Sequence, residues 1–433
     1  KHGLQKMDIL GISNLDIIDA VLKLVKARGK DFGNLDDYTD AKTYELITSG
    51  NTFGVFQLGT SKGTIELCKK VKPKNILDLA MINALTRPGF PPEVRDDFIA
   101  AKNANQAINV IHPSLERALG PTFGFALFEE CLMYMAQDVA GWSKLESDRL
   151  RKFVKDKGKN PEKGPILRKE FIESAVAKKN LNEKVAIQIW DKIIANLAGY
   201  SFNKSHSCFY AFLGYQTAYL KANFPVEFLT VNLNFESNSN SPKAKDNVAQ
   251  IKQELRALGV TILPPDLNRS EMSYTIVDDK TILTGLNSLK FIGKDAVPEI
   301  VSKRPFSSFV DFLTRVDGKK VRAPSVCALA AAGCLDIYNR PRKQMFLYAG
   351  DFKKKLQAWN KKERDTSFEY PFPETGEWSP AEKFAMETYY LGEGLSQDVT
   401  AIYPNFFDPT KAVDFSKLAT TFPPGLKKEE YWI

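Results

Sequence analysis

The segment Gly199-Tyr-Ser-Phe-Asn-Lys-Ser-His-Ser-Cys-Phe-Tyr210 places a group of polar side chains directly before a run rich in tyrosine and phenylalanine. The aromatic run predicts a helix from about Ser207 to Ala222, and Pro225 lies just beyond its expected end. Hydrogen-bond donors should therefore crowd the start of this helix, on Asn203, Lys204, Ser205, His206 and Ser207.

Two interpretations of this helix start remain open from the local sequence. Free backbone N–H groups and the helix dipole favour an anion there. Lys204 would add charge, while Ser205 and His206 would add directed hydrogen bonds, so that a triphosphate would suit the site. The alternative is an ordinary N-cap whose polar neighbours are solvated.

The pattern of apolar residues predicts a largely helical chain. Large apolar residues recur at helical spacing from Asn182 to Ala198, and Ser143-Lys-Leu-Glu146 has the pattern of a capping box. Residues Val260–Thr284 are typical of strands, and the polar run Glu236–Lys243 is typical of a loop between modules. The predicted fold class is mainly α with small β elements, that is, α+β.

A basic face is expected on the helix that Ser143 opens. Arg151, Lys152 and Lys155 share one side of that helix, and residues 151–170 hold eight Lys/Arg against three acidic residues. Such a face neutralises phosphates well. A solvated basic surface is the alternative.

Two further segments could carry chemistry. Lys6 and Asp8 face the same side of an alternating, strand-like opening, so that Asp8 could hold a divalent metal and Lys6 could meet a nucleotide phosphate. A surface ion pair is the alternative. The turn at Ile292-Gly293 fits a helix-hairpin-helix, in which backbone N–H groups with Lys290 and Lys294 grip DNA phosphates.

Composition excludes several classes of protein. The chain has 433 residues, a formal charge of +8 and five cysteines, which show no Cys-x-x-Cys pair and indicate reduced thiols of a cytoplasmic protein. The longest apolar runs fall short of the roughly 18 residues that span a membrane, so no membrane partner is expected. Three histidines argue against a His-built metal hydrolase, and a Gly-x-Ser-x-Gly elbow is absent.

In order along the chain, from Gly3 to about Arg342, these segments resemble the alpha subunit of bacterial DNA polymerase III. The resemblance rests on Gly3–Gly11, Thr52–Leu58, Ala84–Gly89, Thr122–Met133, Leu150–Lys152, Ala198–Pro225 and Pro264–Asn268, together with the Gly293 hairpin and a second one at Leu329–Asp336.

The resemblance implies a domain order. Residues 1–16 would end a polymerase-beta-like palm, and residues 17–240 would form a large helical fingers region. Residues 241–350 would form a helix-hairpin-helix module that binds duplex DNA, and residues 351–433 an irregular C-terminal extension leading toward an OB-type domain.

The resemblance also implies functional residues. Asp8 would be the third metal-binding catalytic carboxylate and Lys6 its phosphate-contacting neighbour. The incoming nucleotide would meet Arg151, Lys152, Asn203, Lys204, Ser205 and His206. Lys290, Gly293 and Lys294 would hold the template–primer duplex.

The expected cofactor is Mg²⁺, as two ions about 3.5–4 Å apart. One aspartate cannot hold both ions, so the remaining carboxylates would come from an upstream Asp-x-Asp segment that this chain lacks. The chain opens at Lys1 without methionine, which favours loss of that segment and a partial enzyme. Expected partners are primer–template DNA, dNTP, the N-terminal polymerase portion and a sliding clamp, although Gln344-Met-Phe346 is a poor match to a clamp-binding peptide.

Departures from the family pattern include Gly59, Glu129 and the run Arg151–Lys157, and they suggest a phage or mobile-element version. The leading hypothesis is template-directed DNA synthesis once the rest of the palm is supplied. A non-catalytic DNA-binding remnant and a hydrolase using Asp8 are the alternatives. An Asp-x-Asp segment encoded with this chain would decide for synthesis over the remnant.

Overall fold

The computed structural model describes residues 12–87, 91–155, 162–194, 202–350 and 372–395. The chain divides into two compact units, Lys1–Phe235 and Glu236–Ile433. In the described part of the chain, no helix has both the length and the apolar character needed to cross a membrane.

The first unit is built from helices around one apolar core. These helices are α1 Ser13–Ala27, α2 Ala41–Ser49, α3 Lys62–Val71, α4 Ile76–Leu85, α5 Pro92–Asn103, α6 Glu116–Leu119, α7 Glu129–Ala140, α8 Lys144–Lys155, α9 Lys163–Lys179, α10 Glu183–Ile189, α11 Lys204–Asn223 and α12 Pro225–Ser237, the last of which runs past the boundary. Short 3-10 turns cover Pro113–Leu115 and Gly120–Thr122.

Helix α11 is the central helix of this unit and packs against α4, α2 and α1. Its Tyr215 is fully buried, and the phenol donates a hydrogen bond to the carbonyl of Asp37 at 3.0 Å. The same phenol oxygen accepts from the backbone N–H of Asp40 at 3.0 Å. Buried Ser207 donates to the carbonyl of Ala80 in α4 at 2.7 Å. These bonds fix the start and middle of α11 relative to its neighbours.

Local sequence signals account for several helix boundaries. The predicted capping box is present, because Ser143 N–H donates to the Glu146 carboxylate at 2.6 Å and Glu146 N–H donates to Ser143 Oγ at 3.2 Å. The helix predicted from Asn182 is regular only to Ile189 and continues as a π-helix, Trp190–Ile194. Residues 195–201, which include the predicted end of that helix, lie outside the described residues.

The second unit combines helices with a small sheet. Strands β1 Thr261–Leu263, β2 Thr275–Asp278 and β3 Thr281–Leu283 lie in the order β1-β3-β2, with β1 parallel and β2 antiparallel to β3. Its helices are α13 Ala244–Ala257, α14 Ala296–Lys303, α15 Phe309–Arg315, α16 Ala323–Ala331, α17 Arg342–Gly350 and α18 Pro380–Leu391, with 3-10 turns at Leu286–Ser288 and Asp336–Tyr338.

The predicted fold class, mainly α with small β elements, is confirmed, and the strands fall inside the range Val260–Thr284 that the sequence indicated. The division after Phe235 adjoins the polar run that predicted a module boundary. The assignment of residue ranges to palm, fingers, duplex-binding module and extension stays a prediction.

Candidate functional site

The start of helix α11 is capped by its own chain. Asn203 is the N-cap residue, and its side-chain oxygen accepts from the backbone N–H of His206 at 2.8 Å. The backbone N–H of Lys204 donates to both carboxylate oxygens of Glu130, at 3.1 and 2.9 Å. The N-cap that was one of the two interpretations of this segment is therefore present. A carboxylate lies where the helix dipole favours an anion.

The side chains beyond the cap form an aromatic and cationic surface. The rings of Phe202 and His206 meet edge to face, 5.4 Å between centroids, and His206 lies 4.3 Å from the ring of Tyr210. The Arg87 guanidinium lies 3.9 Å from the centre of the Phe202 ring, a favourable cation–π distance. His206 and Ser205 are exposed, so this surface is open to solvent.

Arg87 is the residue that sequence reasoning left out of the site. It belongs to the segment Ala84–Gly89, which carried part of the family resemblance. The segment does carry one signal for this residue: an arginine between an apolar helix and a proline is expected at the surface, and Arg87 is exposed. The contact with Phe202 joins residues 115 positions apart in the sequence, which no local pattern indicates.

Arg151 is held in a fixed position by two carboxylates. Its Nε donates to Asp148 and its Nη1 to Glu129, each at 2.7 Å. These bonds raise the pKa of the Arg151 guanidinium above its ordinary value. Lys152 also contacts Asp148, at 2.8 Å, and hydrogen bonds from Lys152 and then Arg151 lower the pKa of the Asp148 carboxyl. The Lys152 side chain itself is 67% exposed.

Two consecutive acids, Glu129 and Glu130, bring these groups together. Glu129 at the start of α7 contacts Arg151 of α8, and Glu130 contacts the first amide of α11. The backbone joins them as well, because Glu129 N–H donates to the carbonyl of Phe202 at 2.9 Å. The structure thus brings Arg151 and Lys152, in the second half of α8, together with residues 203–206 near the starts of α7 and α11. Their roles toward a nucleotide stay predictions.

The loop that carries Lys290, Gly293 and Lys294 lies in the second unit, between the 3-10 turn Leu286–Ser288 and helix α14. All three residues are exposed. A helix-hairpin-helix would have a helix before this turn, and the structure has only the 3-10 turn Leu286–Ser288 there. A Cβ at Gly293 would meet no atom within 4 Å. The backbone at Gly293 is therefore open to the approach of a ligand.

In this loop the residue in the left-handed conformation is Phe291, at φ +65°, and not Gly293. In the second hairpin a glycine is favoured, because Gly333 has φ +82° and a Cβ there would collide with the Arg342 guanidinium. The peptide Gln344-Met-Phe346 lies within α17, where Met345 is fully buried. It is therefore part of the core.

A magnesium site does not fit the residues that the structure describes. Asp8 and Lys6 lie outside the described residues, and among those described no group of three His, Cys, Asp or Glu side chains could hold a metal ion. The acids nearest the candidate surface already bind cations or the α11 amide.

Comparisons with known proteins agree with this architecture. The family model of the bacterial DNA polymerase III alpha subunit finger domain matches residues 14–179, and a helix-hairpin-helix motif matches residues 259–345. The DNA polymerase III subunit alpha of Caulobacter vibrioides is 36% identical over 349 residues, which are 79% of this chain and 29% of that protein.

Two other relatives match a longer part of the chain. The Aquifex aeolicus DNA polymerase III subunit alpha is 33% identical over 402 residues, 91% of this chain and 33% of that protein. The Treponema pallidum protein of the same name is 32% identical over 417 residues, 91% of this chain and 34% of that protein. This chain spans about a third of the length of these curated relatives. It belongs to the bacterial DNA polymerase III alpha-subunit family.

Proposed function

We propose that this chain takes part in template-directed DNA synthesis, as the portion of a bacterial-type polymerase that binds the incoming dNTP and holds the primer–template duplex. The remaining palm would come from an N-terminal polymerase portion. The observation that carries the proposal is the meeting of Arg151 with the first turn of α11 through Glu129 and Glu130.

The proposed nucleotide site combines fixed and adaptable cations. Arg151 is held by two acids, so its guanidinium keeps one orientation and loses little freedom when a phosphate approaches. Lys152 is exposed and can move toward a ligand. Ser205 and His206 lie at the solvent side of the same surface and can donate hydrogen bonds.

These groups suit the charge that develops in nucleotidyl transfer. The primer 3′ hydroxyl loses its proton to solvent, and its oxygen forms a bond with the α-phosphorus of the dNTP. The bond from that phosphorus to the bridging oxygen breaks, so that pyrophosphate leaves with the electron pair. Positioned cations and donors stabilise the charge on the phosphate oxygens during this step. In the proposed site Arg151, Lys152 and Lys204 supply the charge, and His206 supplies a donor.

In the second unit, Lys290, Gly293 and Lys294 would hold the duplex by its phosphates. An exposed glycine leaves room for a sugar–phosphate strand beside the loop backbone. Phosphate contacts of this kind position a duplex without reading its sequence. The helix-hairpin-helix match over residues 259–345 supports this part of the proposal.

Asp8 and Lys6 remain the proposed catalytic pair, with Asp8 as one ligand of two Mg²⁺ ions that other carboxylates of the palm would share. Five free cysteines support an origin in the reducing cytoplasm, and burial raises the pKa of the Cys131 thiol to about 11. A sliding clamp stays a proposed partner, with no binding peptide assigned.

The test uses the polymerase assembled from this chain and its upstream portion. Lys204→Gln and His206→Ala should each lower kcat/KM for dNTP by roughly tenfold or more, while the Kd for primer–template stays unchanged. Asp8→Ala should abolish primer extension and leave duplex binding intact. The control is Lys169→Gln, a change of an exposed lysine that lies on α9.

If Lys204→Gln and His206→Ala leave kcat/KM for dNTP unchanged, both residues serve only the start of α11 and the protein surface, and not nucleotide binding. One observation favours a second function, a DNA-binding remnant without chemistry: the first turn of α11 is already satisfied by Asn203 and Glu130. An assembled protein that binds primed DNA but shows no dNTP binding would decide for the remnant.

A further inference from the structure

The loop that precedes α14 presents a phenylalanine in a strained backbone conformation. Phe291 has φ +65°, in the left-handed region that a glycine adopts without cost and a bulky side chain adopts rarely. Its side chain is 54% exposed, so burial in the core does not compensate for the strain. Strained residues of this kind concentrate at functional sites.

Neighbouring elements hold this loop in place. The backbone N–H of Lys290 donates to the carbonyl of Tyr390 in α18 at 2.8 Å. The hydroxyl of Ser325 in α16 donates to the carbonyl of Phe291 itself, also at 2.8 Å. The two bonds bracket the strained peptide, so the Phe291 ring projects from a fixed backbone.

A second exposed ring lies beside it. Tyr389 of α18 is 53% exposed, and its ring lies 6.3 Å from the ring of Phe291 with an angle of 29° between the planes. The ring of Tyr390 also packs against Phe291, with 5.9 Å between the ring centroids and an angle of 64° between the planes. The two exposed rings therefore form an aromatic platform, defined here as Phe291 and Tyr389.

Positive charge borders the aromatic platform. The Lys290 ammonium lies 4.4 Å from the centre of the Tyr389 ring, and Lys294 is exposed three residues after Phe291. Within the loop 289–295, Asp295 is the one acidic side chain. Flat apolar faces with cations at the rim match a single nucleic-acid strand, whose bases stack on aromatic rings while its phosphates meet lysines.

We propose that the aromatic platform stacks on an unpaired base of single-stranded DNA, next to the duplex that the same loop holds. The inference rests on the proposed duplex-binding function and deepens it: Lys290 and Lys294 contact phosphates, and Phe291 with Tyr389 contacts the first base beyond the paired region. A duplex offers a stacking face only at its end, so the platform distinguishes a junction from continuous duplex.

The experiment measures binding of the full chain to three labelled DNAs by fluorescence anisotropy: a long blunt duplex, the same duplex with a single-stranded extension, and the single strand alone. Phe291→Gly removes the ring and suits the φ of +65°, so the loop should keep its shape. Tyr389→Leu removes the second ring and keeps an apolar side chain.

Both variants should lose roughly 5- to 150-fold in affinity for the extended duplex, the range expected for base–aromatic stacking. Affinity for the blunt duplex should stay within about twofold, because backbone contacts dominate there. A 2-aminopurine at the first unpaired position should be quenched by the unaltered chain and much less by Phe291→Gly. Asn339→Gly is the control, because it places glycine at another exposed residue of positive φ, 51°.

An equal loss on blunt and extended duplex, or no loss on either, would overturn the inference. Failure of the duplex-binding proposal has a different signature. In that case, Lys290→Gln and Lys294→Gln would leave the affinity for blunt duplex and its salt dependence unchanged. If both lysines contact phosphates, each substitution should reduce the slope of log K against log salt concentration by about one.

Discussion

Replacement of Glu130 by glutamine tests whether its charge stabilises the start of α11. The carboxylate accepts two contacts from the backbone N–H of Lys204, at 3.1 and 2.9 Å, at the positive end of the helix dipole. Glu130→Gln keeps an oxygen acceptor of nearly the same shape and removes only the negative charge. Any loss of stability therefore measures the electrostatic part of the interaction.

The expected loss can be worked from these contacts. A negative charge at a helix N-terminus contributes about 0.3–1 kcal/mol, and up to about 2 kcal/mol where it is partly buried. A hydrogen bond to a charged acceptor is stronger than one to a neutral acceptor by about 1 kcal/mol. The two effects overlap, so we expect a loss of about 1–2 kcal/mol. For a unit of this size, that corresponds to a fall in Tm of roughly 2–8 °C.

Differential scanning calorimetry of Glu130→Gln gives the size of the loss, and hydrogen exchange locates it. The first-turn amides of α11, among them those of Lys204 and His206, should exchange faster than in the unaltered chain. Glu173→Gln is the matched control: it removes the same charge from an exposed pair with Lys169, 3.8 Å apart, and should cost under about 0.5 kcal/mol. Equal melting of Glu130→Gln and the unaltered chain, with unchanged exchange at α11, would refute the assigned role of Glu130.

Two further predictions concern charges buried in the second unit. Hydrogen bonds from Lys303 and from the backbone N–H of Asp317 lower the pKa of Glu299 to about 2, below its ordinary value of 4.5. The folded state thus binds fewer protons than the unfolded state, and the stabilisation is present above pH 4.5 and lost as the pH falls toward 2. Tm measured from pH 6 to pH 3 should therefore fall less steeply in Glu299→Gln, and parallel curves would contradict this. Arg342→Ala should lower the free energy of unfolding, measured in urea, by about 3–5 kcal/mol, because it removes the cation 2.6 Å from the fully buried Glu387 carboxylate. The control Arg149→Ala breaks an exposed ion pair and should lower it by under about 1 kcal/mol.

Local patterns of the sequence predicted the local structure well. The capping box at Ser143 and the strand region after Val260 each depend on residues a few positions apart, and both are present. The N-cap that was one of two interpretations for the start of α11 is also present, at Asn203. The family resemblance, confirmed by the relatives, rested on the order of several such segments.

The partners of the predicted site residues could not be obtained from the sequence. Arg151 is bonded to Glu129, 22 positions earlier, and Lys204 N–H to Glu130, 74 positions earlier. Such pairs depend on how α7, α8 and α11 pack, and periodicity within one helix carries no information about it. The conformation of Phe291 could not be predicted for a related reason: the hydrogen bonds that hold this loop come from Ser325 and Tyr390, in distant parts of the chain.

The two candidate surfaces hold their cations differently, and this difference bears on their roles. Arg151 has two acidic partners, so a phosphate must compete with carboxylates for it, which favours a ligand of high charge density such as a triphosphate. For Lys290 and Lys294, the described residues show no ion pair with an acid, so a phosphodiester strand can meet them without displacing an anion of the protein. Weak, repeated contacts suit a duplex that must move after each addition, whereas a held arginine suits a ligand that must be placed precisely before a bond forms. The charge arrangement of each unit therefore fits the substrate proposed for it.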